Sequence, residues 1–182
     1  MKNFKVPGRE DVSANNQVLF DNIKKGLGMV PNLYAIMAYS ENGLGNYLTL
    51  QSGKTSLSKK EKEVVNLVVS QENDCRYCQS AHTVLGKMNG FTDEQVLEIR
   101  GGTALFDSKL NALARFTKEV VANRGRVADD TLNSFLAAGY TNGSIVDVTI
   151  AVADKVVMNY LHNLTQIPID FPVAPVLETT HA

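Results

Sequence analysis

Cys75, Cys78 and His82 stand at i, i+3 and i+7. On an α-helix these offsets fall within an arc of roughly 60°, so the three side chains share one face. Cys78 and His82 are i, i+4 neighbours, near enough for an imidazole to take or hold a thiol proton. At the start of a helix, unpaired N–H groups and the positive end of the dipole stabilise a thiolate. A free thiol has a pKa of about 8.5, and such surroundings can bring it to ~3.5–7.5. One helical turn leaves the two Cα atoms about 5–6 Å apart, within disulfide range. The pair can therefore cycle between dithiol and disulfide without unfolding the helix. Glu63, on the preceding helical stretch, is the fourth candidate. Folded back across a helix hairpin, its carboxylate would orient the His82 imidazole and receive its proton. The same Glu63, Asn66 and Ser70 also read as a polar stripe facing water.

Other chemistry fits the motif less well. Structural zinc needs four ligands and usually a second ligand pair, and only His162 and His181 remain beyond the motif. Buried, inert thiols are common for lone cysteines, but a CxxC with His four residues on argues against them. A thioredoxin-like motif expects a strand before the helix, and here a helix precedes it. His162 lies near a helix end, where a cation is favourable for structural reasons alone. His181 sits in the terminal dipeptide.

The elements that must position these groups read as helices. Helical periodicity dominates from Ser13 to Gln166, and no alternating β-branched run stands out. Pro31 can open a helix ahead of the apolar run Leu33 to Tyr39, Asn42 and Gly43 interrupt it, and a second helix runs through Tyr47 and Leu50. Ser58 and Glu61 form a capping box for a helix carrying Val64, Val65, Leu67, Val68 and Val69. Asn73 or Asp74 ends it and caps the next, from about Cys75 to Met88, which Asn89-Gly90 stops. Thr92 with Gln95 starts a short helix that ends at Gly101-Gly102. Further helices are expected near Ser108 to Asn123, Asp129 to Ala138 and Gly143 to Leu164. In the last, Asp147, Asp154, Lys155 and His162 form a narrow polar arc, and Val146, Ile150, Ala153, Val157, Leu161 and Leu164 a broad apolar face. Such a helix must be buried on more than one side, as a core helix or at an oligomer interface. Pro168, Pro172 and Pro175 then exclude a helix and predict an extended arm against the body or a neighbour. The fold class expected is all-α: one domain over 1–182, its core motif at 58–102 and its C-terminal arm at 167–182.

Composition narrows the function classes. With 182 residues, 44% of them hydrophobic and 20% charged, the chain can bury a core without disulfide or metal staples. Eighteen basic against nineteen acidic residues give a net charge of −1, and so no electrostatic reason to bind nucleic acid or an anionic membrane. The N-terminus lacks the apolar core of a secretion signal, and the longest apolar run has seven residues, Leu33 to Tyr39, against the ~20 a membrane helix needs. The expectation is a cytoplasmic protein, where thiols stay largely reduced.

Glu63, Ser70, Asn73, Cys75-Arg76-Tyr77-Cys78 and Ala81-His82 together resemble the core motif of the carboxymuconolactone decarboxylase superfamily, and of its alkyl hydroperoxidase D-like (AhpD-like) branch in particular. The likeness extends through Gly90 to Gln95, upstream to Val30-Pro31-Asn32-Leu33 and downstream to Ile169-Asp170-Phe171-Pro172, and is greatest to uncharacterised peroxidase-related members. The resemblance implies an all-helical AhpD-like bundle around a helix hairpin carrying the CxxC, with trimers or hexamers common. It implies that Cys75 and Cys78 are the redox pair and that Glu63 and His82 relay protons. Some peroxidase members carry His immediately before the second cysteine; here Tyr77 stands there, an accessory candidate.

The function expected is therefore a thiol-dependent peroxidase or disulfide reductase. Cys78 attacks a small hydroperoxide because His82 is its neighbour, and Cys75 resolves the sulfenic acid. Lying nearest the helix end, Cys75 is also the thiol a reductant should reach. An external dithiol, such as a lipoylated or thioredoxin-like protein, resets the pair, and no cofactor or metal is needed. The alternatives are a non-redox enzyme acting on a small lactone or keto acid with Glu63 and His82 as acid and base, and a non-enzymatic metal- or partner-binding module.

Overall fold

The computed structural model describes residues 4–177. Among these the chain forms α-helices and one short 3₁₀ turn, Arg9–Asp11, with no strand. The helices are α1 (Ala14–Leu27), α2 (Asn32–Met37), α3 (Gly43–Gln51), α4 (Lys59–Glu72), α5 (Arg76–Met88), α6 (Asp93–Arg100), α7 (Ser108–Ala122), α8 (Asp129–Ala137) and α9 (Asn142–Thr165). The all-α expectation holds. His181, and the arm beyond Leu177, lie outside the described residues.

Local chemistry starts the helices where the sequence indicates. Ser58 accepts from the Glu61 N–H while Glu61 accepts from the Ser58 N–H, and Thr92 and Gln95 repeat this reciprocal cap on α6. α4 is the central helix. Val64, Val65, Leu67, Val68 and Val69 have no exposure, so it is enclosed by α5, α6, α7 and α9. Each such side chain contributes about 1.5–3 kcal/mol by leaving water. The main core lies between α4, α6, α7, α8 and α9, where Phe135 stacks on both Phe116 and Tyr140. A second cluster, of Leu33, Ile36, Tyr47, Met158 and Ile167, encloses the cysteines.

The start of α5 differs from expectation. Asp74 does not cap it; it adopts a left-handed φ of 48°, which Asp tolerates better than most residues. The cap is Cys75 itself, whose Sγ accepts from the Cys78 N–H at 3.2 Å. The turn is tied to α9 by Asn163, which donates to the Asn73 carbonyl at 2.8 Å, and by Asn73, which donates to Asn159 Oδ1 at 3.0 Å.

α9 turns a different arc toward the chain's own core than its apolar pattern suggests. Val146, Ile150, Ala153, Val157 and Leu164 are exposed on the single chain, which excludes the core-helix alternative for that face and leaves the oligomer interface, whereas Lys155 and His162 from the supposed polar arc are buried. The inward stripe is Val148, Val152, Lys155, Asn159 and His162. Its polar members face the α4–α5 hairpin and the C-terminal arm, whose polar groups can receive them. His162 is accordingly no surface cation. Nε2 lies 3.2 Å from the Ile167 carbonyl, the ring packs on Tyr77, and burial pushes its pKa down.

The extended segment after α9 lies against the body, as its prolines and apolar residues predict. Arg76 donates to the Ala174 carbonyl, Arg100 to that of Pro175, and Ser80 Oγ accepts from the Ala174 N–H. Asp170 accepts from the Asn32 N–H, closing the arm over the start of α2.

Candidate active site

The hairpin of α4 and α5 brings Glu63 onto His82. Nδ1 of His82 lies 2.8 Å from Glu63 Oε2, with both side chains buried, and Asn66 donates to the other carboxylate oxygen at 3.1 Å. The polar stripe of α4 therefore does not face water: Glu63 and Ser70 are buried, and Asn66 serves the carboxylate. Burial pushes Glu63 up, but the His82 contact, Lys155 and Asn66 outweigh it and hold the carboxyl below its usual range. Burial and the Lys155 charge push His82 down more than Glu63 lifts it. A neutral imidazole donating Nδ1–H to a carboxylate leaves Nε2 as a proton acceptor.

The two thiols are free and buried, but not equivalent. Burial raises Cys78, yet the hydrogen bond from Cys75, the Lys155 charge and Asn159 outweigh it, so the net shift is downward. Cys75 is shifted strongly upward, first by its hydrogen bond to Cys78 and then by burial. Of the two, Cys78 is the more readily ionised and Cys75 the more firmly protonated. This division goes beyond the sequence reading, in which the helix start favoured a thiolate at either position.

Cys78, Glu63 and His82 line one open cavity of about 920 Å³, walled mainly by apolar residues including Leu33, Leu85, Met158 and Phe171. Cys75 has no exposure and does not reach this wall. The expectation that a reductant meets Cys75 first is corrected here: as the Sγ cap of α5 it points into the hairpin, and access from the cavity is to Cys78. Tyr77 also lines the cavity, but its hydroxyl accepts from the Leu33 N–H at 3.3 Å, and the neighbouring Asp170 carboxylate raises its pKa after burial has done so. Its hydroxyl therefore serves the packing of α2 and the arm.

Sequence reasoning missed the α9 side of the site. Asp154 and Lys155 line the cavity beside the hairpin, and Asn159 backs the cysteines. The one signal for it was three polar residues on the buried stripe of an otherwise apolar helix. Among the described residues no group of three or more His, Cys, Asp or Glu side chains is arranged to hold a metal ion. Nor is any single helix there long and apolar enough to cross a membrane.

Residues 42–119, which span α3 to α7 and hold all four motif residues, match the profile of the carboxymuconolactone decarboxylase family. This segment belongs to that family. No curated protein sequence matches the chain. Among solved structures, an uncharacterised peroxidase-related protein from Silicibacter sp. TM1040 is 20% identical, with 91% of this chain and 90% of that one covered at a TM-score of 0.80. A peroxidase-related protein from Ralstonia eutropha JMP134, described as an alkylhydroperoxidase AhpD core, is 17% identical, with 92% of each chain covered at 0.82. A cysteine-to-alanine variant of the debrominase Bmp8, in complex with 2,3,4-tribromopyrrole, is 13% identical, with 93% of each chain covered at 0.75. At these identities the likeness is one of fold. The chain thus has the AhpD-like helical fold, with its Cys pair inside the segment that matches the family profile.

Proposed function

We propose that the protein is a thiol-dependent oxidoreductase that reduces a hydroperoxide, or a disulfide, through Cys78 and Cys75. The observation that carries this reading is the Glu63–His82 pair at 2.8 Å opening onto the same cavity as the one thiol whose pKa is lowered. His82 Nε2 takes the Cys78 proton. The thiolate attacks the terminal peroxide oxygen; an S–O bond forms, the O–O bond breaks, and the departing alkoxide takes the proton back from His82. Cys78 is now a sulfenic acid. Cys75 attacks it, an S–S bond forms and water leaves. An external dithiol reduces the disulfide by exchange, so each turnover converts one hydroperoxide and one dithiol into alcohol, water and one disulfide. The mainly apolar cavity supports a substrate with an apolar body. The exposed apolar face of α9 supports a homo-oligomer, trimeric or hexameric, which light scattering would measure.

Cys78→Ser should abolish dithiol-dependent peroxide consumption. Wild-type consumption by the Cys75→Ser/Cys78→Ser double variant would sink the reading. A non-redox enzyme using Glu63 and His82 on a lactone or keto acid would keep its activity after thiol alkylation; the redox enzyme would lose it.

A further inference from the structure

Lys155 is a buried lysine, 4% exposed, in a mainly apolar wall. Among the described residues its one acidic neighbour within 4 Å is Asp154, at 3.7 Å, too far for a hydrogen bond. A charge held out of water in this way is costly unless something nearby compensates it. Asn159 lies one turn on, at i, i+4, with no exposure. Asn73 donates to its Oδ1, which fixes the amide orientation and turns Nδ2 to the opposite side. There Nδ2 completes no hydrogen bond, to sulfur or to any other acceptor, yet the Asn159 side chain is close enough to lower the pKa of both Cys75 and Cys78.

We propose that Lys155 and Asn159 are positioning residues that hold the Cys78 sulfur as an anion, Lys155 by its charge and Asn159 by aiming an amide N–H at the sulfur pair. Loss of the thiol proton then leaves the electron pair on a sulfur already faced by a cation and a dipole, and the proton goes to His82 or to water. Besides lowering Glu63, the Lys155 charge acts on Cys78 and His82 in useful opposition. It favours the ionised form of Cys78 and disfavours the protonated form of His82, so that one group becomes the nucleophile and the other stays a base. The titratable groups around Cys78 are Cys75, Tyr77 and His82 from α5, Glu63 from α4, Tyr34 from α2, Tyr47 from α3, and Asp154 and Lys155 from α9. Of these only Lys155 is a standing cation.

This inference rests on Cys78 being the reactive thiol, so its test avoids peroxide. The reduced full-length protein is alkylated with iodoacetamide across a pH series, and peptide mass spectrometry assigns the adduct to Cys78. Lys155→Met and Asn159→Asp should each move the midpoint upward by one unit or more, cutting the rate about tenfold at any pH well below the wild-type midpoint, while Lys155→Arg keeps the midpoint. The two sites are altered separately, so one folded variant suffices if the other fails to fold. A midpoint in either variant within about 0.3 unit of wild type overturns the proposal. A shifted midpoint in a protein that consumes no peroxide would leave this inference standing and remove the peroxidase reading instead.

Discussion

Glu63→Gln separates a proton-relay carboxylate from a merely structural one. Glu63 accepts from His82 on Oε2 and from Asn66 on Oε1. In the variant, the new side-chain amide can still present its carbonyl oxygen to His82 Nδ1–H. Its nitrogen then faces Asn66, whose half-buried side chain turns its own amide over and presents Oδ1. Geometry and tautomer survive, and only the charge is lost. A hydrogen bond to a charged group contributes about 1.5–3 kcal/mol. Losing that support for the imidazolium formed when His82 takes the Cys78 proton should slow kcat/KM about 10–150-fold. The sign of the pH effect follows from the same contact. Glu63 raises the His82 pKa against burial and Lys155, so removing its charge lowers that pKa further. The acid limb of the rate profile should move to lower pH while the plateau falls. The assay is dithiol-dependent peroxide consumption from about pH 5 to 9, spanning the usual His and Cys range, with urea unfolding to confirm an intact fold. Wild-type kcat/KM with an unmoved acid limb would refute the relay.

Three further outcomes follow from other contacts. Burial raises Glu61, but the Ser58 N–H, Lys109 and Tyr140 outweigh it and bring its pKa from 4.5 to about 2. Its stabilising effect is fully present above pH 4.5 and is lost as pH falls toward 2. Glu61→Gln should cost about 1–2 kcal/mol at pH 7, allowing for solvent screening around the half-exposed Lys109, and a urea-unfolding gap that stays constant from pH 7 to 2 would contradict this. Gly102 has a φ of +91°, and an added Cβ would crowd Lys118 Cδ, forcing that side chain off the Gly101 carbonyl. Gly102→Ala should cost about 1–2 kcal/mol, with an unchanged thermal midpoint as the contrary result. Tyr77→Phe deletes a hydroxyl that accepts from the Leu33 N–H and should cost about 1 kcal/mol with little change in turnover. A tenfold rate loss at unchanged stability would give Tyr77 the accessory catalytic role that its place in the motif suggested.

How much of this site the sequence disclosed depends on the range of the interactions. Helix starts are set within four residues, so the caps at Ser58 and Thr92 were legible, and the one-turn spacing of Cys75, Cys78 and His82 placed them on one face before any fold was known. The apolar density of α4 required a central helix. Glu63 was left between a water-facing stripe and a partner for His82, because the return of α5 along α4 is a packing event between residues far apart in sequence. The α5 cap was misread because Asp74 and Cys75 both offer acceptors, and the left-handed turn at Asp74 decided between them.

The sequence alone determined the helical class, the positions of most helix ends and the shared face of the thiols and imidazole, since each depends on the 3.6-residue period and on local donors and acceptors. Tertiary structure alone decided which arc of α9 turns inward, that Cys78 rather than Cys75 meets the cavity, and that Lys155 and Asn159 are buried. The reason is electrostatic. A lysine on an isolated amphipathic helix belongs to the solvated face, and it becomes an inward residue only when a second helix pair presents anionic groups at the right depth.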